Sequence, residues 1–269
     1  MLFFIFLLVT LAVTGLYAFL APAVTVWRVL GVALLAWLGA NLLLVLLFVV
    51  NWLFLPRLGP DEGIERQRPL SRWIVTNGAR WLCGYAGVKV TLSGTEKLPD
   101  TPFLLVSNHR AGFDPLVAIG WLGPWNIAFI SKPGNFDIPL VGLTTRHAGY
   151  LAIDRDNDRA ALKTILRAAD YLKRGVCSIG IYPEGTRNRT DAPLLPFHAG
   201  SFKIAQKAGV PLAIVCMRGT DRVLKTPFFI RTPVYLDVLD VLDAETVKRM
   251  KTVELAEYAR RIMEEDLKK

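Results

Sequence analysis

The chain predicts an α/β domain built on a largely parallel sheet flanked by helices, preceded by an N-terminal helical hairpin in a membrane. Three observations carry that prediction. From Met1 to Trp27 there is no charged side chain, and after Arg28 there is none again until Arg57. From Val88 onward, short apolar runs alternate with amphipathic stretches of helical period. Several of those apolar runs end abruptly on loops that carry acids, cations or a histidine, where open α/β folds collect their ligands.

Each uncharged run reaches the roughly 20 residues that a hydrocarbon core requires of a helix. Pro22 and Arg28 mark the turn between them, and Trp27 and Trp52 lie near run ends as interfacial anchors do. The first run has no basic leader and is too long for a secretory signal. Arg57, Arg66, Arg68 and Arg72 follow the second run, against one Arg in the turn, so the positive-inside rule places Arg57 onward on the cytoplasmic face of the cytoplasmic membrane. A shallow re-entrant hairpin fits the same pattern. The domain reading is therefore a membrane hairpin over 1–56, a linker and amphipathic helix over 57–87, and the α/β domain over 88–269.

Residues 57–70 are rich in Pro, Gly and charge and read as linker. From Ser71 to Tyr85, the residues Ile74, Gly78, Trp81, Leu82 and Tyr85 share a helical face opposite Arg72 and Arg80. That face suits either the bilayer surface or the domain core. Strands are expected over 88–93, 102–107, 126–131, 176–182, 211–217 and 233–240. Helices are expected over 115–122, 139–146, 158–174, 200–208 and 244–267, with Leu162, Ile165, Leu166 and Ala169 as the buried stripe of the third and Gly175 as its C-cap.

The formal net charge is +9, and only Arg28 of that lies before residue 57. The excess suits an anionic membrane surface or a phosphate-bearing substrate. No nucleic-acid motif or basic low-complexity tail accompanies it, so nucleic acid is excluded as a partner. Cys83, Cys177 and Cys216 are odd in number and widely spaced, which gives no disulfide framework and no metal-ligand spacing.

The segment Asn108-His109-Arg110-Ala111-Gly112-Phe113-Asp114 follows an apolar strand, and Asp114-Pro115 reads as an N-cap with Pro at the first helical position. A neutral His109 there can take a proton from an attacking hydroxyl while Asp114 holds its tautomer. Alternatively Asp114 caps the helix and His109 fills a turn. Tyr182-Pro183-Glu184-Gly185-Thr186-Arg187 ends another strand: Arg187 can grip a phosphate bidentately and Glu184 can orient it or accept from a substrate hydroxyl, or the two make a surface ion pair. Asp154-Arg155 and Ser131-Lys132 end two further apolar runs with cations, and a lone Lys is commonly just solvated. His147 and His198 have no acid at useful spacing and read as structural.

Together these elements resemble the glycerolipid acyltransferase family, which includes 1-acylglycerol-3-phosphate acyltransferases. His109 to Asp114 matches its His-(four residues)-Asp motif, Gly149 to Arg155 is similar to its second motif, Tyr182 to Arg187 matches its third, and Gly209-Val210-Pro211 before the strand Leu212 to Cys216 resembles its fourth. The resemblance covers roughly 88–220. This chain departs from it in having Pro133-Gly134-Asn135 after the strand Lys, where Lys-Glu-Leu is common, and Asn188 where Ser is common.

The resemblance implies acyl transfer from acyl-CoA or acyl-carrier protein to the sn-2 hydroxyl of lysophosphatidic acid, giving phosphatidic acid in phospholipid biosynthesis. His109 would be the general base, supported by Asp114. Arg155 and Arg187 would bind the acceptor phosphate, with Glu184, Gly185 and Thr186 shaping that pocket. Lys132 would bind phosphate or meet the oxyanion, a role equally open to the backbone amides after His109. No GxSxG elbow occurs and no Cys neighbours a His, so direct attack without an acyl-enzyme is expected, with no metal and no cofactor. Rival readings are another lysophospholipid, glycerol-3-phosphate or an acyl-amino-acid lipid as acceptor, a membrane esterase or phospholipase, and an idle membrane adaptor.

Overall fold

The computed structural model describes residues 2–21, 25–59, 62–227 and 230–268. The chain divides into two compact units, Met1–Pro56 and Arg57–Lys269.

In the first unit, α1 (Leu2–Leu20) and α2 (Val26–Phe54) pack against each other. At 1.5 Å per residue, the 29 residues of α2 span about 43 Å, more than the roughly 30 Å of a hydrocarbon core. By length and composition α2 can cross a membrane; Ile5–Leu20 is a shorter apolar helix. The residue Pro22 expected in the turn lies outside the described residues. Arg28 sits within the first turn of α2 and not in the turn before it, since Thr25 is the N-cap and accepts from the Arg28 amide. Most of the leucines on these helices are exposed, and Trp27 is 81% exposed.

In the second unit, α3 (Pro69–Tyr85) begins two residues before the predicted start because Pro69 takes the first helical position. Its preceding segment is tied down. The Ile64 amide donates to the Tyr171 hydroxyl, the Arg68 amide to the His147 carbonyl, and Gln67 Nε2 to the Ala148 carbonyl. The expected stripe on α3 is only half right. Ile74 and Gly78 are buried, together with Ser71, Asn77, Ala79 and Cys83, whereas Leu82 and Tyr85 are exposed. The supposed polar face is also engaged: Arg72 and Arg80 donate to the carbonyls of Gly123 and Gly120, satisfying acceptors at the end of the next helix.

Among the described residues, seven strands form one sheet in the order β1-β7-β6-β2-β5-β3-β4. They are β1 (Val88–Ser93), β2 (Leu104–Ser107), β3 (Ile127–Ser131), β4 (Leu151–Ala152), β5 (Ser178–Ile181), β6 (Leu212–Arg218) and β7 (Thr232–Leu242). Every pairing is parallel except β6 with β7, so β6, β2, β5, β3 and β4 all point their carboxyl ends to one edge. The residues of β2 and β5 are buried throughout, the signature of a parallel strand covered on both faces. Strand β4 is two residues long and was not expected as a strand at all.

The helices are α4 (Phe113–Trp121), α5 (Val141–His147), α6 (Asp158–Lys173), α7 (Lys203–Ala208), α8 (Ala244–Arg249) and α9 (Thr252–Leu267). On α6 the buried stripe is Ala168, Ala169, Tyr171 and Leu172; Leu162 and Leu166 are about half exposed, contrary to expectation. The single helix expected over 244–267 is two. Met250 and Lys251 are extended, Gln206 Nε2 donates to the carbonyls of Val247 and Met250, and Glu254 closes a capping box on the Lys251 amide.

Candidate active site

The site is built where β2 leaves the sheet. Asn108 is buried, and its side-chain amide donates to the Met217 carbonyl at 2.8 Å while accepting from the Met217 amide at 2.7 Å. That reciprocal pair imitates one more residue of β2–β6 pairing and fixes the point from which His109 emerges.

Both backbone groups of His109 are then held by the loop after β5. Its N–H donates to Glu184 Oε1 at 2.6 Å, and its carbonyl accepts from the Asn188 amide at 2.7 Å. Glu184 is 3% exposed, and its second oxygen accepts from the Leu195 amide at 2.9 Å. Burial pushes the Glu184 carboxyl above the ordinary glutamate range, and the two backbone donors act against that shift. The carboxylate considered for a substrate hydroxyl is therefore turned inward, with both oxygens occupied by backbone amides. Asn188 is likewise buried: its side chain closes the turn to Thr190 and Ala192.

His109 Nδ1 lies 2.8 Å from Asp114 Oδ2. The same oxygen accepts from the amides of Arg110 at 2.6 Å and Ala111 at 2.8 Å. Asp114 is buried, within the first turn of α4, whose N-cap is Gly112. The expected N-cap role is thus corrected: Asp114 binds amides that precede the helix and uses the same oxygen for the imidazole. One consequence concerns the oxyanion. The two amides that follow His109 are aimed at Asp114 and do not point toward a substrate.

With Nδ1 facing a carboxylate, Nδ1 carries the proton and Nε2 is the basic nitrogen. The imidazole lies flat on Tyr182, with ring centroids 4.2 Å apart and planes 20° from parallel. Tyr182 is buried, and burial holds its phenol protonated well above the ordinary tyrosine value. Its residue type was read only as part of a motif; that its ring faces His109 follows from β2 and β5 being neighbours.

Gly185 has φ +73°, and a Cβ there would stand 2.8 Å from Nε2 of His198. Only glycine fits both constraints. His198, set aside from its sequence context, therefore touches this loop, and its own amide donates to the Pro183 carbonyl. Thr186 and Arg187 are exposed. The Arg187 guanidinium lies beside the histidine loop, 3.7 Å from where a Cβ on Gly112 would stand.

Lys132 and Arg155 are exposed and lie past the ends of β3 and β4, on the same sheet edge. At about 4.8 Å per strand, the ends of β3 and β4 lie roughly 10 and 14 Å across the sheet from β2. The fold thus brings His109, Asp114, Glu184, Gly185 and Arg187 together and sets Lys132 and Arg155 farther along one row. Outside β4 opens a cavity of about 250 Å³, with Leu58, Ile64 and Leu151 in its wall and Arg146 and Lys163 among its charged residues.

The sequence model of the family described as Acyltransferase matches residues 89–218, so the stretch that carries this site is an acyltransferase domain. Relatives include a 1-acyl-sn-glycerol-3-phosphate acyltransferase of Chlamydomonas reinhardtii, 31% identical over 76% of this chain and 59% of that one. A chloroplastic enzyme of the same name from Brassica napus is 36% identical over 53% of this chain and 41% of its own length. The enzyme of that name from Escherichia coli (strain K12) is 31% identical over 61% of this chain and 66% of that one. The chain thus spans about half the length of the first two. The crystal structure of the 1-acyl-sn-glycerophosphate (LPA) acyltransferase from Thermotoga maritima shares the fold, with TM-score 0.62 and 24% identity over 85% of this chain and 95% of that one.

Proposed function

We propose that this protein transfers an acyl group from an acyl thioester to the sn-2 hydroxyl of lysophosphatidic acid, forming phosphatidic acid at a membrane surface. The observation that carries the reading is the His109–Asp114 pair, held at both ends of the His109 backbone and oriented with Nε2 as base. Support for the acceptor comes from the relatives, several of which bear that activity in their names.

In this scheme Nε2 of His109 takes the proton of the acceptor hydroxyl as its oxygen attacks the thioester carbonyl. The tetrahedral intermediate collapses with loss of the thiolate, which recovers the proton from the imidazolium. Asp114 stabilises the imidazolium in between. Because the amides of Arg110 and Ala111 are engaged by Asp114, the oxyanion falls to another donor, and Lys132 is the cation on a nearby strand end. Arg187, beside the histidine loop, would bind the acceptor phosphate, with Arg155 reaching it from the far end of the row. Acyl-CoA or acyl-carrier protein is a substrate here, and the scheme uses no metal or cofactor. The apolar helices of the first unit would keep the enzyme on the cytoplasmic membrane, with the second unit on its cytoplasmic face.

The test is full-length protein in lipid nanodiscs, given labelled acyl-CoA or acyl-carrier protein and a panel of acceptors. Wild type should label phosphatidic acid from lysophosphatidic acid. His109→Ala should lose about 10²-fold or more in kcat, the range of general-base catalysis. Full turnover by His109→Ala would sink the base assignment, and preference for another acceptor would replace lysophosphatidic acid.

A further inference from the structure

The plane of the His109 ring is set by an aromatic stack drawn from three neighbouring strands. Phe129 on β3 pairs with Gly180 on β5, and a Cβ at Gly180 would lie 2.5 Å from the Phe129 ring. The missing side chain lets that ring lie over the sheet. Tyr182 stacks on it, with centroids 5.5 Å apart and planes 19° from parallel, and His109 stacks on Tyr182. The Tyr182 hydroxyl is buried without a hydrogen-bond partner among the described residues. A buried hydroxyl without a partner is a cost to the fold, so the ring and not the hydroxyl is what this position contributes to the site.

We propose that Tyr182 is a positioning residue whose ring face fixes the imidazole plane of His109, so that Nδ1 meets Asp114 and Nε2 meets the acceptor hydroxyl together. This rests on the reading of His109 as the base. The Asp114 bond fixes one ring atom and tolerates misalignment, and the second side-chain torsion of histidine is broad. A flat contact at 4.2 Å removes the remaining swing. Proton transfer needs Nε2 within about 3 Å of the hydroxyl, and a 1 Å misplacement can cost about 10²-fold.

The experiment compares Tyr182→Phe and Tyr182→Leu in full-length protein in nanodiscs. The Phe variant keeps the ring and should hold kcat within about twofold of wild type. The Leu variant should lose about 10²-fold in kcat with acceptor KM changed less than about threefold. A Leu variant within threefold of wild-type kcat, or a Phe variant as slow as the Leu variant, overturns the proposal. A second readout needs no turnover. With ¹³C-labelled histidine, the His109 ring signal, assigned by its loss in His109→Gln, should carry a ring-current shift in wild type and Tyr182→Phe that disappears in Tyr182→Leu. The buried His147 signal reports that the fold is intact. A His109 signal unmoved by Tyr182→Leu also overturns the proposal. Wild type without acyl transfer would defeat the functional reading alone and leave this readout to decide.

Discussion

Asp114 gathers three donors on one carboxylate oxygen: the His109 ring and the amides of Arg110 and Ala111. The negative charge therefore both shapes the loop and faces the imidazole, and removing it separates the two functions. In Asp114→Asn the amide oxygen can still accept from the loop, so the fold should persist, while the imidazolium loses its counter-charge. The expected result is a fall of about 10²- to 10³-fold in kcat at nearly unchanged melting temperature, read by thioester consumption and thermal unfolding. Arg187→Ala should instead raise the acceptor KM, by about tenfold for one charge-assisted contact, with little change in donor KM.

Glu184 makes a prediction of a different kind. Its carboxyl is raised by burial, so the folded chain holds that proton to higher pH than the unfolded chain. Where a group binds more protons folded than unfolded, stability falls as pH rises. The contribution of Glu184 should therefore decline as pH climbs from about the ordinary value of 4.5 through the raised folded value. Glu184→Gln should flatten that slope in the melting temperature. It should also lower stability by about 1–3 kcal/mol, because an amide cannot accept from both His109 and Leu195. An unchanged slope would show that Glu184 does not titrate in that range.

At the scale of elements, the carboxyl ends of parallel strands supply the site. The C-terminal helix α9 is fastened to the sheet by Arg218 of β6, which bonds Asp237 of β7 at 2.7 Å and Asp266 of α9 at 3.3 Å. Asp266 is buried, so Arg218→Met would strand its charge. A loss of about 3 kcal/mol is expected in chemical denaturation, partly recovered by adding Asp266→Asn. The elements most legible in the sequence were the long amphipathic and apolar ones, because their period is local. The break between α8 and α9 was not: Gln206 of α7 satisfies the carbonyls at the gap, and that partner is more than 40 residues away in sequence. Leu162 and Leu166 misled for a related reason. An apolar stripe marks a face, but which neighbour covers it depends on the helix's final rotation.

Across the whole molecule, the three cysteines are buried and unpaired. Burial pushes the thiols of Cys83 and Cys177 up to about 12 and raises that of Cys216 as well. Since the thiolate is the reactive form, native protein at neutral pH should resist maleimide, while denatured protein should take up three equivalents. Rapid labelling of the native chain would contradict the packing around β2, β5 and β6.

The sequence by itself determined the alternation that makes a parallel sheet, the two apolar helices, and the residue types at four strand ends, because hydrophobic period and punctuation are local properties. It also placed His109 and Asp114 on one loop, where short spacing suffices. Only the tertiary structure decided what each group faces. Glu184 and Asn188 turn inward to clamp His109, the amides once available for an oxyanion bind Asp114, and Tyr182 lies under the imidazole. These facts follow from β5 lying beside β2, a neighbour relation between segments some 70 residues apart that no local pattern encodes.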